Sequence, residues 1–187
     1  MESWSLIGRQ ETELVVQAQA GDLAAFDALV TRYRPGALVL ARHVSGSHDI
    51  AQDAVQDAFL AAYKALPQLG DAEKFPAWFG AIVRHRAKRI ASGERNERLP
   101  LDDVILLHAP SIVLEIELRA RSEAVRCAVS RLPEEIRPIV ELYYIEDWDV
   151  RQIAGFMALP ATTVKWRLHS GRNLLRASLT DRNEEIL

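Results

Sequence analysis

The stretch from Asp149 to Leu179, DVRQIAGFMALPATTVKWRLHSGRNLLRASL, constrains the fold more than any other part of the chain. The pair Leu159-Pro160 divides it. Before the pair, Val150 to Ala158 read as a short, half-apolar helix. After it a longer helix is expected to open with Thr162 or Thr163 as N-cap, because a hydroxyl there accepts from the first free amides. Val164, Leu168, Gly171, Leu175 and Leu179 follow at steps of four, three, four and four, which is one apolar stripe. Lys165, His169, Arg172 and Arg176 repeat those steps one residue later, laying a basic stripe beside it, and no acid interrupts positions 161–180. A short helix, a tight turn and a longer helix with one buried and one cationic edge is the sequence form of a helix-turn-helix with its recognition helix. A basic amphipathic helix taken alone is more often just the wet face of a bundle, so the rest of the chain has to decide.

With 187 residues the chain has room for one domain or two small ones, and 49% hydrophobic residues are ample for a core. No apolar run approaches the roughly 20 residues that span a bilayer. The opening MESWSLIGRQETEL lacks the basic start and apolar stretch of a secretory signal. A single cysteine, Cys127, excludes an internal disulfide and any multi-cysteine zinc site, and the five histidines show no ligand spacing. No metal, no cofactor and a cytoplasmic, reducing setting are therefore expected. The net charge of -3 argues against a nucleic-acid binder, but its distribution argues the other way. Residues 84–98 carry six cations against two acids, and residues 134–149 carry six acids against Arg137. Such segregation points to two kinds of partner surface.

In chain order, residues 10–20 form a short helix ended by Gly21, and Asp22 caps a longer one with Leu23, Phe26, Leu29, Val30 and Tyr33 on one face. Pro35 is expected to kink or split that helix, and Ser45-Gly46-Ser47 ends it. A third helix, about His48 to Leu66, is capped by Ser47 and gathers Asp49, Asp53, Gln56 and Asp57 on the face opposite its apolar edge; in isolation this is a solvated acidic face. Residues 67–74 form a loop. A fourth helix from Phe75 buries Phe75, Trp78, Phe79, Ile82, Val83 and Ile90, and its second half is basic on nearly every exposed position. Aromatics leading into cations suit single-stranded or melted nucleic acid, although Trp78 and Phe79 are expected mainly in the core. From Ser92 to about Ser111 the helical period is lost, with Gly93, Pro100 and Pro110, so this is a linker; its apolar run Val104-Ile105-Leu106-Leu107 should dock on a domain or a partner. A fifth helix runs from about Val113 to Arg131, and a sixth starts at Pro133-Glu134-Glu135. No strand-period segment and no internal repeat is present. The fold expected is all-α: a helical domain over 1–95, a linker over 96–112, and a helix-turn-helix domain over 113–187.

The ordered set of motifs resembles the extracytoplasmic-function (ECF) sigma factors of bacterial RNA polymerase, the smallest members of the sigma-70 family. The resemblance lies in Ala25-Phe26 with Leu29 and Arg32-Tyr33-Arg34-Pro35, in the acid-rich Asp49 to Phe59 with its Val55-Gln56-Asp57-Ala58-Phe59, and in Pro76-Ala77-Trp78-Phe79 with Ile82 and Arg84. It continues in Leu132-Pro133, Ile153-Ala154, Thr163-Val164-Lys165, Arg167-Leu168-His169 and Arg172, so it covers most of the chain outside the first ten residues, the linker and the tail. It implies that Asp49, Asp53, Gln56 and Asp57 dock on the clamp helices of the core polymerase. It implies that the loop Leu69 to Lys74 and the fourth helix open and read the minus-ten promoter element through Asp71, Lys74, Arg84, His85, Lys88 and Arg89. The linker would thread toward the active-site and RNA-exit region. In the minus-thirty-five element, Lys165, Arg167, Arg172 and Arg176 would mainly hold phosphates, while Thr162, Thr163, Trp166 and His169 sit nearer the base edges. It further implies an anti-sigma partner that hides both docking and DNA faces.

Three positions depart from the family pattern: Gln52 breaks an acid pair, His85 stands where asparagine is common, and Trp166 stands where a small residue is usual. The indole either changes which bases are read or packs on the preceding helix. No further domain is expected beyond Leu187. The alternative is a stand-alone helix-turn-helix regulator with a helical sensing domain, whose N-terminal half would carry a pocket or dimer interface instead of a docking face. An enzyme is not expected, since no acid/base pair, nucleophile constellation or metal spacing occurs.

Overall fold

A computed structural model describes residues 3–93 and 127–184, with side chains over 11–93 and 127–178. The described helices are α1 (Ser3–Gln19), α2 (Leu23–Ser45), α3 (His48–Ala65), α4 (Phe75–Ala91), α5 (Arg137–Tyr144), α6 (Val150–Met157) and α7 (Ala161–Glu184). No strand occurs among the described residues. The linker over 96–112, its run Val104–Leu107 and the start of the fifth predicted helix lie outside the described residues; the C-terminal turn of that helix ends at Ser130.

Local chemistry accounts for the helix limits. Asp22 caps α2 by accepting from the amides of Ala24 and Ala25, and Gly46 ends it in the left-handed region at φ 69°, where a side chain would be strained. Ser47 caps α3 through the Ile50 amide. Two 3-10 turns, Leu66–Gln68 and Ala72–Lys74, fill the predicted loop. The carboxamide of Gln19 donates to the carbonyls of Leu66 and Leu69 and ties that loop to α1.

Four expectations are corrected. The first helix starts at Ser3, earlier than its sequence pattern indicates. Pro35 does not split α2, which is continuous over 23 residues; packing on both sides outweighs the one hydrogen bond that proline removes. The helix assigned to Pro133 begins instead at Arg137, with Pro138 in its first turn, because the amides of Ile136 and Arg137 both turn back to the Pro133 carbonyl. Neither Thr162 nor Thr163 caps α7: the first helical bond runs from the Val164 amide to the Pro160 carbonyl, so both threonines lie inside the first turn.

α1 to α4 pack as one unit and α5 to α7 as another, and one apolar core runs through both. Its centre is Tyr33. That ring meets Phe75 at 5.1 Å and Phe79 at 5.8 Å on α4, and Trp148 at 5.2 Å and Phe156 at 6.2 Å from the C-terminal half. Trp148 lies against Gly36, where any Cβ would overlap the indole. Gly80 is as tightly placed, its missing Cβ giving room to the Phe156 carbonyl. A smaller cluster of Val129, Leu132, Ile136 and Val140 packs on the far part of α7, where Gly171 leaves room for Val140 and Ile136.

Burial, and then the neighbouring Glu11 carboxylate, hold the Tyr33 phenol well above its usual value of 10.0. The folded chain therefore keeps this proton more tightly than the unfolded chain does. The resulting stability is whole below about pH 10 and is lost as pH rises beyond it. Thermal unfolding of the wild type is expected to shift down more steeply above pH 10 than that of Tyr33→Phe. At neutral pH the Phe variant should be about 1–3 kcal/mol less stable, because Glu11 loses a buried donor. Parallel pH profiles for the two proteins would remove Tyr33 from this role.

Candidate nucleic-acid interface

The helix-turn-helix is built from α6, Ala158 in the left-handed region at φ 55°, and α7. Asp149 starts α6 with a capping box: its carboxylate accepts from the amides of Arg151 and Gln152, and the Gln152 side chain accepts from the Asp149 amide. On α7 the stripe sorts as predicted, with Val164, Leu168 and Gly171 buried, Leu175 half-buried and the side chain of Leu179 outside the described residues. Lys165, His169, Arg172 and Arg176 are all exposed, as is Thr162, while Thr163 is half-buried. Trp166 is 60% exposed, so most of the indole faces solvent. The Asn173 side chain lies 3.2 Å from the His169 ring. Arg167 differs from the other cations: it is only 19% exposed at its side chain and lies 3.7 Å from Glu135.

The α4 residues fall into two groups. His85 and Lys88 are exposed, and Arg89 is half-buried with its Nε enclosed and unbonded. Asp71 caps the 3-10 turn before α4 by accepting from Glu73, and Lys74 lies 3.3 Å from its carboxylate, so both act locally. Arg84 turns toward the other half of the molecule, where its Nη1 donates to the Phe156 carbonyl at 2.6 Å. Burial lowers its pKa. The carbonyl it meets is at the C-terminal end of α6, where a cation is favoured.

On α3, Asp49, Asp53 and Gln56 are exposed and Asp57 is half-buried, so the acidic face is open to solvent. Asp49 and Asp53 also line a cleft of about 470 Å³ with Ile50, Ile90 and Gly93, between the start of α3 and the end of α4. Gln52, the break in the acid pair, hydrogen-bonds with His48 at 3.0 Å.

The acid-rich stretch 134–149 is only partly an open surface: Glu134, Glu135 and Asp147 are exposed, while other acids are engaged within the protein. Glu141 pairs with Arg42 at 2.6 Å, Glu135 faces Arg167, and Asp149 is a helix cap. Glu146 is half-buried, and burial and Glu141 raise its pKa. Sequence reasoning also missed Glu11, the buried charged residue of the core. It accepts from Tyr33 Oη at 2.7 Å and from the Gln152 carboxamide at 2.8 Å, and lies 3.1 Å from Arg32 Nε. Its signal was an acid in helical register with Val15 and Ala18, two core residues of α1.

Comparison with known proteins gives this geometry a lineage. Residues 29–96 match the Sigma-70 region 2 family, and residues 122–175 match Sigma-70, region 4. The RNA polymerase sigma-H factor of Pseudomonas aeruginosa is 31% identical over 186 residues, covering 93% of this chain and 96% of the relative. The ECF RNA polymerase sigma-E factor of Escherichia coli K12 is 30% identical over 179 residues, covering 87% and 90%, and the ECF sigma factor SigW of Bacillus subtilis is 28% identical over 181 residues, covering 89% and 95%. Among solved structures, CnrH in complex with the cytosolic domain of CnrY has a TM-score of 0.59 at 23% identity, covering 92% of this chain and 98% of that one. The sigma factor RpoE of Bartonella quintana, in complex with the anti-sigma factor NepR, has a TM-score of 0.51 at 20% identity, covering 83% and 96%. These two share the fold. The region 2 match sets aside the alternative of a helical sensing domain in the N-terminal half. Two sigma regions in order and near-full-length identity above 30% place the chain in the sigma-70 family, as an ECF RNA polymerase sigma factor.

Proposed function

We propose that the chain divides its work between the surfaces described above, with α3 docking on core RNA polymerase, α4 reading the minus-ten promoter element and α7 reading the minus-thirty-five element. The observation that carries this reading is the sorting of α7: Val164, Leu168 and Gly171 are buried while Lys165, Trp166, His169 and Arg172 face solvent. A helix anchored along one edge with cations along the next can enter a major groove without disturbing its own core. Lys165, Arg172 and Arg176 hold phosphates; Thr162, Thr163, Trp166 and His169 lie toward the bases. Arg167 joins the phosphate contacts only on leaving Glu135.

On α4, His85 and Lys88 form the exposed part of the minus-ten reader, with Arg89 half-buried beside them and Arg84 at its covered edge. Asp71 and Lys74 shape the loop that leads into it. The domain division at 1–95, 96–112 and 113–187 fits this reading, since it leaves each reading helix in its own unit. An anti-sigma partner fits as well, since two exposed polar faces that bind polymerase and DNA need covering when transcription is unwanted. No helix among the described residues is long and apolar enough to cross a membrane, and work alongside polymerase and promoter DNA belongs in the cytoplasm.

The docking assignment is tested by capture on core RNA polymerase. Wild type is expected to bind and to support promoter-directed transcription in vitro. Asp53→Arg combined with Asp57→Arg should abolish binding with helical content unchanged, because both side chains reach solvent on α3. Full binding by that double variant would remove α3 from the docking surface.

The phosphate assignment is tested by the salt dependence of duplex binding. With three to four phosphates neutralised, affinity should fall roughly 40- to 150-fold between 50 and 200 mM salt. Arg172→Gln should lower the slope by about one contact. An affinity that ignores salt would contradict the basic stripe as the contact.

A further inference from the structure

Beside its apolar and basic stripes, α7 carries a third that holds no Lys or Arg. Thr162, Trp166, His169 and Asn173 recur at steps of four, three and four, and all four are exposed. At about 100° per residue this neutral stripe lies opposite the buried Val164, Leu168 and Gly171, with Lys165, Arg172 and Arg176 on the flank between them. A helix anchored on its inner edge brings the residues opposite the anchor closest to the base edges of a major groove, and its flank closest to the phosphates. Within the neutral stripe the His169 and Asn173 side chains engage each other at 3.2 Å. Among the described residues no ring contact or hydrogen bond holds the Trp166 side chain, and at 60% it is the most exposed of the large apolar groups. Trp78 and Trp148, in contrast, both lie on aromatic rings.

A free indole offers an apolar plate with a single N–H donor and no acceptor. The bases differ in what they show it across the major groove. Cytosine shows an amino donor, which the indole N–H does not meet. Guanine shows acceptors and no apolar group, and adenine shows an acceptor beside an amino donor. Thymine alone sets an acceptor, O4, beside an apolar group, its C5 methyl. Trp166 lies in the first two turns of α7, the part of a recognition helix that reaches base edges.

We propose that Trp166 is a specificity-determining residue that selects thymine in the minus-thirty-five element, its ring lying on the C5 methyl and its Nε1–H donating to O4. This rests on α7 being the reader of that element. Lys165, Arg172 and Arg176 set register and affinity from the flank. Trp166 supplies discrimination and adds nothing to the salt dependence, because it meets no phosphate. A small residue at this place would make neither contact.

The test uses holoenzyme assembled from the full chain and core polymerase. Duplexes randomised over the minus-thirty-five region are selected by the wild type and by Trp166→Ser, whose exposed position should leave helical content unchanged. The wild type is expected to enrich thymine at a position that the variant leaves unselected. On the selected duplex, deoxyuridine in place of that thymine removes only the methyl. The wild type should then bind about fourfold more weakly. Trp166→Ser should bind the two duplexes equally, and the salt dependence of the two proteins should match. A thymine preference shared by both proteins, or a wild type indifferent to deoxyuridine at every enriched thymine, would overturn the assignment and leave the indole to a protein partner. A wild-type holoenzyme that enriches no sequence at all would instead sink α7 as the reader of that element, and the thymine assignment with it.

Discussion

The hydrogen bond from Tyr33 to Glu11 is the contact on which the two halves of the molecule depend. A phenol buried among four aromatic rings needs an acceptor, and a carboxylate buried beside it needs more than one donor. Glu11 has three: the Tyr33 hydroxyl, Arg32 and the Gln152 side chain. The third comes from the helix-turn-helix. Gln152 uses both ends of its carboxamide, accepting from Asp149 to close the α6 capping box and donating to Glu11. The start of α6 and its attachment to the N-terminal unit are thus one arrangement, and Trp148, just upstream, rests on Gly36 and Tyr33.

Charge follows the same economy of position. Three of the six acids of residues 134–149 are engaged within the protein, on Arg42, on Arg167 and on the amides of α6. Asp49 and Asp53 of α3 and Lys165, Arg172 and Arg176 of α7 are exposed. Surface ion pairs contribute little to stability, so the exposed charges are not what holds the fold together. Arg84 stands between these groups, a cation of α4 held on the carbonyl end of α6.

Much of this was legible in the chain itself. The stripe of Val164, Leu168 and Gly171, the caps at Asp22 and Ser47, the stop at Gly46 and the start of α4 at Phe75 all follow from local chemistry, and the structure has them. Expectations went astray where tertiary packing decides. Pro35 breaks isolated helices, but here α2 is held on both sides. Pro133 is a good first helical residue, but after the turn at Glu134–Ile136 the helix starts at Arg137, with Pro138 in its first turn. The joining of the two units left no periodic signal, because it is made by single residues from distant segments: Glu11, Gly36, Gly80, Trp148 and Gln152. Gly36 and Gly80 in particular look like helix weaknesses until their neighbours across the interface are known.

The shared core is tested most directly by calorimetry of the intact free chain. If Tyr33 joins both units into one cooperative structure, heating should give a single transition whose calorimetric and van't Hoff enthalpies agree, and Trp148→Ala should lower that one transition as a whole. Two resolved transitions, with Trp148→Ala moving only one of them, would show that the units fold independently and would contradict the account.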